Sequence, residues 1–213
     1  MADVAVAVPG AERADVERLG SDLLRRWSEP HRRYHDVAHL TEVLAAADVL
    51  ARGGRGNRAE RSAVILAAWF HDAVYEGRGG DDERRSAALA ARELGVLGAD
   101  EALVDRVVTL VLDTVEHDIA DAAADDGPDA DRAILHDADL WILASPTPRF
   151  DEYCRQVREE YAHVPVAEYT VGRAAVLRPF LVRPHVYRSE LARREWEPAA
   201  RENLARELTR LAG

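Results

Sequence analysis

Four of the eight histidines are followed directly by aspartate: His35-Asp36, His71-Asp72, His117-Asp118 and His136-Asp137. An imidazole beside a carboxylate can hold a divalent cation or manage a proton, so these pairs are where chemistry is sought first. His71-Asp72 stands out because it ends the longest unbroken apolar run, Ala63 to Phe70, which carries both polar groups to the edge of the core. Burying them there without partners costs several kcal/mol, so partners are expected. Upstream, His35 and His39 in Tyr34-His35-Asp36-Val37-Ala38-His39 have i,i+4 spacing and share a face if a helix begins early enough. Downstream, Asp137 and Asp139 stand about 200° apart on a helix, so only one faces the bundle interior. Asp139 lies beside the stripe made by Leu135, Ile142 and Leu143 and is the one expected to face the site.

In this order and helical setting, His39, His71, Asp72 and Asp139 resemble the HD superfamily of metal-dependent phosphohydrolases, which take one His, a His-Asp pair and a later Asp from different helices. The chain is most similar to the small bacterial predicted metal-dependent HD phosphohydrolases. The similarity runs through Arg33-Tyr34-His35 with His39, Ala68-Trp69-Phe70-His71-Asp72 with Tyr75, Glu83 with Ser86-Ala87, and Thr114 with His117. It continues through Asp137-Ala138-Asp139-Leu140, Arg158-Glu159-Glu160-Tyr161, Tyr169 with Gly172-Arg173, and Phe180-Leu181 with Arg183. The resemblance implies an all-α HD-type bundle, phosphohydrolase chemistry and metal ligands at His39, His71, Asp72 and Asp139. The segment from Tyr34 to His39 also resembles the Tyr-His-Asn-x-x-His segment of cyclic-nucleotide phosphodiesterases. That likeness implies a general-acid role for His35, with Asp36 standing where those enzymes have Asn.

Two imidazoles and two carboxylates without a thiolate suit a divalent ion such as Mn, Mg, Fe, Co or Ni, and disfavour structural zinc. Such an ion polarises a phosphoryl group and activates water, making a small phosphoester, most plausibly a nucleotide, the expected substrate. His35 or Glu83 would manage protons, and Asp72 joins them as a catalytic candidate. Arg33, Arg173, Thr114 and His117 are the expected substrate contacts, with Arg32 and Arg183 as further anion-binding candidates. Two rival readings use the same residues. A di-iron oxygenase would add His117 to the ligands, and a regulatory module would bind metal and nucleotide without turnover.

The elements that must position these groups read as helices almost throughout, because Ala, Leu, Glu and Arg dominate and apolar residues rarely alternate. The patterns predict helices over about Ala11–Ser28, Asp36–Ala51 with Asp36 as N-cap, Arg58–His71, Asp81–Leu94 and Asp100–His117. Four more are expected over about Asp131–Ala144, Arg149–Tyr161, Val166–Val182 and Ser189–Leu211, the last started or kinked by Pro198. The third is apolar around most of its circumference and belongs at the bundle centre. Ala120 to Asp131 reads as an acidic loop. Trp69, Trp141 and Tyr161 read as core. The whole of 1–213 is expected to be a single domain, with the metal site within about 31–145 and the helices of 149–212 packed on it.

The 213 residues carry 28 basic and 39 acidic side chains, a formal net charge of -11, and every basic residue is Arg. That field repels phosphate backbones and anionic lipid, so neither nucleic acid polymers nor membranes are expected partners. A single Cys, Cys154, forms no internal disulfide. With no signal-peptide pattern either, the expectation is a cytoplasmic protein. The last helix offers a surface for a possible homodimer.

Overall fold

The computed structural model describes residues 8–53, 58–77, 81–115 and 128–213. Among them the fold is all-helical, with ten α-helices and no strand. These are α1 (Arg13–Trp27), α2 (Val37–Gly53), α3 (Arg58–Phe70), α4 (Asp81–Val96), α5 (Glu101–Leu112), α6 (Pro128–Asp139), α7 (Thr147–Glu160), α8 (Val166–Val182), α9 (Glu190–Glu195) and α10 (Glu197–Leu211). A 3-10 segment, Leu140–Ala144, follows α6 directly.

Helix α3 touches α2, α4, α5 and α6 and is the centre of the bundle. Its residues Ala63, Val64, Leu66, Ala67, Ala68 and Phe70 are buried on all sides, which explains why no polar stripe interrupts them. Helix α1 instead buries one stripe, Val16, Leu19, Leu23 and Trp27, and turns Arg18, Arg25 and Asp22 outward. Trp27 is fully buried, and its indole N–H donates to the Trp69 carbonyl at 3.0 Å, tying α1 to the end of α3. No helix among the described residues is long and apolar enough to cross a membrane.

Several boundaries differ from the sequence reading for local reasons. Helix α4 runs through Gly95 to Val96, and it is Gly98 at φ +74° that stops it, its N–H donating to the Gly95 carbonyl. Helix α5 ends at Leu112, so the expected extension to His117 is too long; His117 itself and residues 120–127 of the expected acidic loop lie outside the described residues. Residues 128–131 begin α6. That helix passes into the 3-10 segment after Asp139, whereas one continuous helix was expected. The expected final helix is two, parted at Trp196, with Pro198 in the first turn of α10 where its missing N–H has no helical partner to lose.

Candidate metal centre

Helix α2 starts at Val37 because Asp36 caps it, Oδ1 accepting from Ala38 N at 2.8 Å and His39 N at 3.3 Å. The cap puts His39 in the first turn, facing inward and 2% exposed. His71 follows the last residue of α3, and its Nδ1–H donates to the Ala68 carbonyl at 2.8 Å. With the proton fixed on that side, Nε2 of the neutral ring presents its lone pair to the interior. The two Nε2 atoms stand 3.3 Å apart.

Two carboxylates close on them. Asp72 Oδ2 lies 3.3 Å from His71 Nε2 and 3.8 Å from His39 Nε2, and Asp139 Oδ1 lies 3.3 Å from His39 Nε2 and 3.5 Å from His71 Nε2. His39, His71 and Asp72 together form a group that could hold a metal ion, their ligand atoms lying within 4.8 Å of one another. Ligand atoms bonded at about 2.1 Å stand roughly 3.4 Å apart at tetrahedral angles, so these separations fit a shared ion. The donor chemistry fits as well, since two facing imidazole nitrogens beside two carboxylate oxygens call for a cation or a proton among them.

Asp137, rejected on helical phase, is fully buried and serves a different purpose. It accepts from Arg188 N at 2.7 Å, Ser189 N at 2.8 Å and Ser189 Oγ at 2.6 Å, with His136 Nδ1 3.0 Å away. It therefore fastens the start of α9 to the last turn of α6, and the opposite face of that turn carries Asp139.

The centre opens into a cavity of about 740 Å³. Its walls include Tyr34, His35, Tyr75, Glu83, Thr114, Tyr153, Tyr161, Tyr169 and Arg173, so the cavity extends onto the helices after residue 145, while His39, His71, Asp72 and Asp139 themselves lie within 31–145. Tyr161, expected in the core, is partly buried and belongs to this wall. Thr114 lines the cavity while its hydroxyl donates to the Val111 carbonyl at 2.7 Å. Glu83 lines it from the first turn of α4.

His35 is held by a residue that sequence spacing did not single out. Glu160 Oε1 accepts from the backbone N–H groups of Arg33, Tyr34 and His35 at 2.7, 2.8 and 3.0 Å, and Oε2 accepts from His35 Nδ1 at 2.7 Å and the Tyr75 hydroxyl at 2.9 Å. The ring is stacked on Tyr75 with centroids 4.2 Å apart. Nδ1–H is thereby committed to Glu160, leaving Nε2 as the atom available to the cavity. A separation of 125 residues hid this pairing; the only sequence signal was that Glu160 falls within one of the stretches carrying the family resemblance.

The arginines divide. Arg33, an expected substrate contact, is exposed and does not line the cavity, its Nη1 donating to the carbonyls of Pro30 at 2.7 Å and Arg32 at 3.0 Å. Only its backbone N–H supports the site, through Glu160. Arg32 is a buried clamp: Nη1 donates to the carbonyls of His35 at 2.9 Å and Asp72 at 2.8 Å, binding the two site segments together. Its Nε and Nη2 are likewise turned to Glu29 and the Ala73 carbonyl, so its N–H groups are engaged within the protein. Arg173 and Arg183 do line the cavity.

Electrostatics follow from this packing. Burial disfavours a charged His71, yet the charges and hydrogen bonds of Asp72 and Asp139 outweigh it and raise its pKa well above the ordinary imidazole value. Burial likewise opposes ionised Asp72, but the His71 charge holds its carboxyl well below the usual carboxylate range. His35 is disfavoured as a cation by burial and raised by Glu160, Asp72 and Asp139, with a net upward shift. Glu160, despite its burial, is brought down to about 2 by His35 and the backbone donors.

Comparison with protein-family models, with curated proteins and with solved structures finds no match.

Proposed function

We propose that the protein is a metal-dependent phosphohydrolase that binds one divalent ion through His39, His71, Asp72 and Asp139 and hydrolyses a small phosphoester. A nucleotide suits the tyrosine-rich wall best, since its base offers a flat face to aromatic rings. The observation that carries this reading is the convergence of two imidazole Nε2 atoms and two carboxylates at one end of a cavity with His35 on its wall. A divalent ion held there supplies Lewis-acid polarisation of a phosphoryl oxygen and a water of lowered pKa.

The remaining work falls to the chain's own residues. His35 holds a proton at Nε2 while Glu160 fixes its other nitrogen and Tyr75 its plane, an arrangement suited to protonating a leaving oxygen. Glu83, on another part of the wall, is placed to orient water. Arg173 offsets substrate charge in a protein of net charge -11, and Thr114 shapes the wall. The resemblance to HD phosphohydrolases supports the same assignment of roles.

The test is elemental analysis of the wild type, His71→Ala and Asp139→Ala, with phosphate release from nucleotides and phosphomonoesters on metal-reconstituted samples. The expected result is about one ion per chain and phosphate release, both lost in the variants. Two ions with oxygen uptake would point instead to the oxygenase chemistry, and metal content unchanged in both variants would overturn the ligand assignment.

A further inference from the structure

One wall of the cavity runs from the metal cluster to a cation. The Tyr34 ring lies 4.6 Å from that of His39 and 4.5 Å from that of Tyr153, and the Arg173 guanidinium lies 4.9 Å from the Tyr153 centroid. Arg173 also donates from Nη2 to the Tyr153 hydroxyl. Two donors on this wall, the Tyr34 hydroxyl and Arg173 Nε, have no acceptor among the described residues. Tyr34 is 4% exposed, so water does not readily replace the missing partner.

Arg173 also lacks a carboxylate within ion-pair distance among the described residues, although the chain has 39 acidic side chains. Other arginines close to its neighbours are paired, Arg149 with Glu42 and Arg206 with Asp151. A partly buried guanidinium whose Nε is shut off from water, with a neutral phenol as its hydrogen-bond partner, carries a charge that a ligand's anion would offset. Three ring contacts separate it from His39, so it serves a part of the ligand other than the group at the metal cluster.

We infer that Arg173, seated on Tyr153, forms a second anion subsite, and that the ligand is a phosphoester carrying a further anionic group, a second phosphate or a carboxylate. The planar fork of Arg173 receives that group, and the Tyr34 hydroxyl donates to the stretch between the two ends. The inference rests on the phosphohydrolase reading for the phosphoester, whereas the second anion rests on the Tyr34 to Arg173 wall.

Calorimetric binding of two probe pairs tests it: adenosine 3′,5′-bisphosphate against adenosine 5′-monophosphate, and 4-carboxyphenyl phosphate against phenyl phosphate. The wild type is expected to bind the doubly anionic member of at least one pair about tenfold or more tighter. Arg173→Gln is expected to erase that preference, and Arg173→Lys to restore it only in part. No preference in the wild type, or a preference that survives Arg173→Gln, overturns the subsite. Should Arg173→Gln fail to fold, Arg173→Met takes its place with a chain of similar length and no charge, and a preference that survives it overturns the proposal equally. Phosphate release measured on the same samples separates the two readings. Arg173-dependent binding without release defeats the hydrolase and keeps the subsite; release with Arg173-independent binding does the reverse.

Discussion

Glu160 Oε2 lies 2.7 Å from His35 Nδ1, and the same carboxylate gathers the three backbone N–H groups of residues 33–35. One side chain near the end of α7 thus sets both the path of the loop that bears His35 and the tautomer of its ring. A group that acts on protons through another residue in this way leaves a signature in pH dependence.

Glu160→Gln removes the charge that helps raise the pKa of His35. If protonated His35 serves as the acid, activity falls as pH rises through its pKa, so this limb moves to lower pH in the variant. Activity at neutral pH is expected to drop about 10- to 100-fold, against roughly 100-fold or more for His35→Ala. Profiles of kcat against pH for the three proteins check both the shift and its direction.

The same pair makes folding stability depend on pH. Glu160 is lowered from 4.5 to about 2, so its share is fully present above pH 4.5 and is lost as pH falls toward 2. His35 is raised above 6.5, so its share is full below 6.5 and is lost as pH rises through the folded-state pKa. The stability gap between wild type and Glu160→Gln is therefore widest between pH 4.5 and 6.5 and narrows below, by on the order of 3 kcal/mol in all. Urea titrations of metal-free protein at a series of pH values measure it.

A metal ion bound at this cluster would have to displace the proton that Asp72 and Asp139 favour on His71. Affinity for Mn²⁺ or Co²⁺ is expected to rise with pH across the neutral range, with about one proton released per ion once His71 is protonated beforehand. Calorimetry in buffers of different ionisation enthalpy counts that proton, and a count of zero at pH 6 would contradict the assignment.

Asp137→Ala leaves His39, His71, Asp72 and Asp139 in place but strands the N–H groups of Arg188 and Ser189 inside the protein. A loss of about 3 to 5 kcal/mol is expected, together with weakened metal binding because the turn carrying Asp139 loses its anchor. Asp139→Asn should show the opposite balance, with metal lost and the fold little changed. Thermal melts beside metal titrations distinguish the two.

The all-helical architecture, the central place of α3 and the side of α6 on which Asp139 meets His39 and His71 were readable because helical phase and apolar run length are local properties. Asp36 as the cap of α2 was readable for the same reason. Glu160 and the clamping role of Arg32 were not, since each acts on carbonyls or N–H groups brought close only by tertiary folding. Arg33 misled because an arginine beside a histidine says nothing about which way its guanidinium turns; here backbone carbonyls within three residues hold it outside.

The Asp137 anchor has a consequence for how the protein comes into being. Asp139 is kept in register from the far side by residues 188 and 189, and His35 by residue 160, so most of the chain must be synthesised before either is fixed. A ribosome-bound chain that ends before Arg188 lacks the Arg188 and Ser189 groups that Asp137 binds in the full chain. A metal ion held by the His39, His71 and Asp72 cluster would accordingly be captured late in synthesis, once the residues that brace Asp139 and His35 have joined the fold.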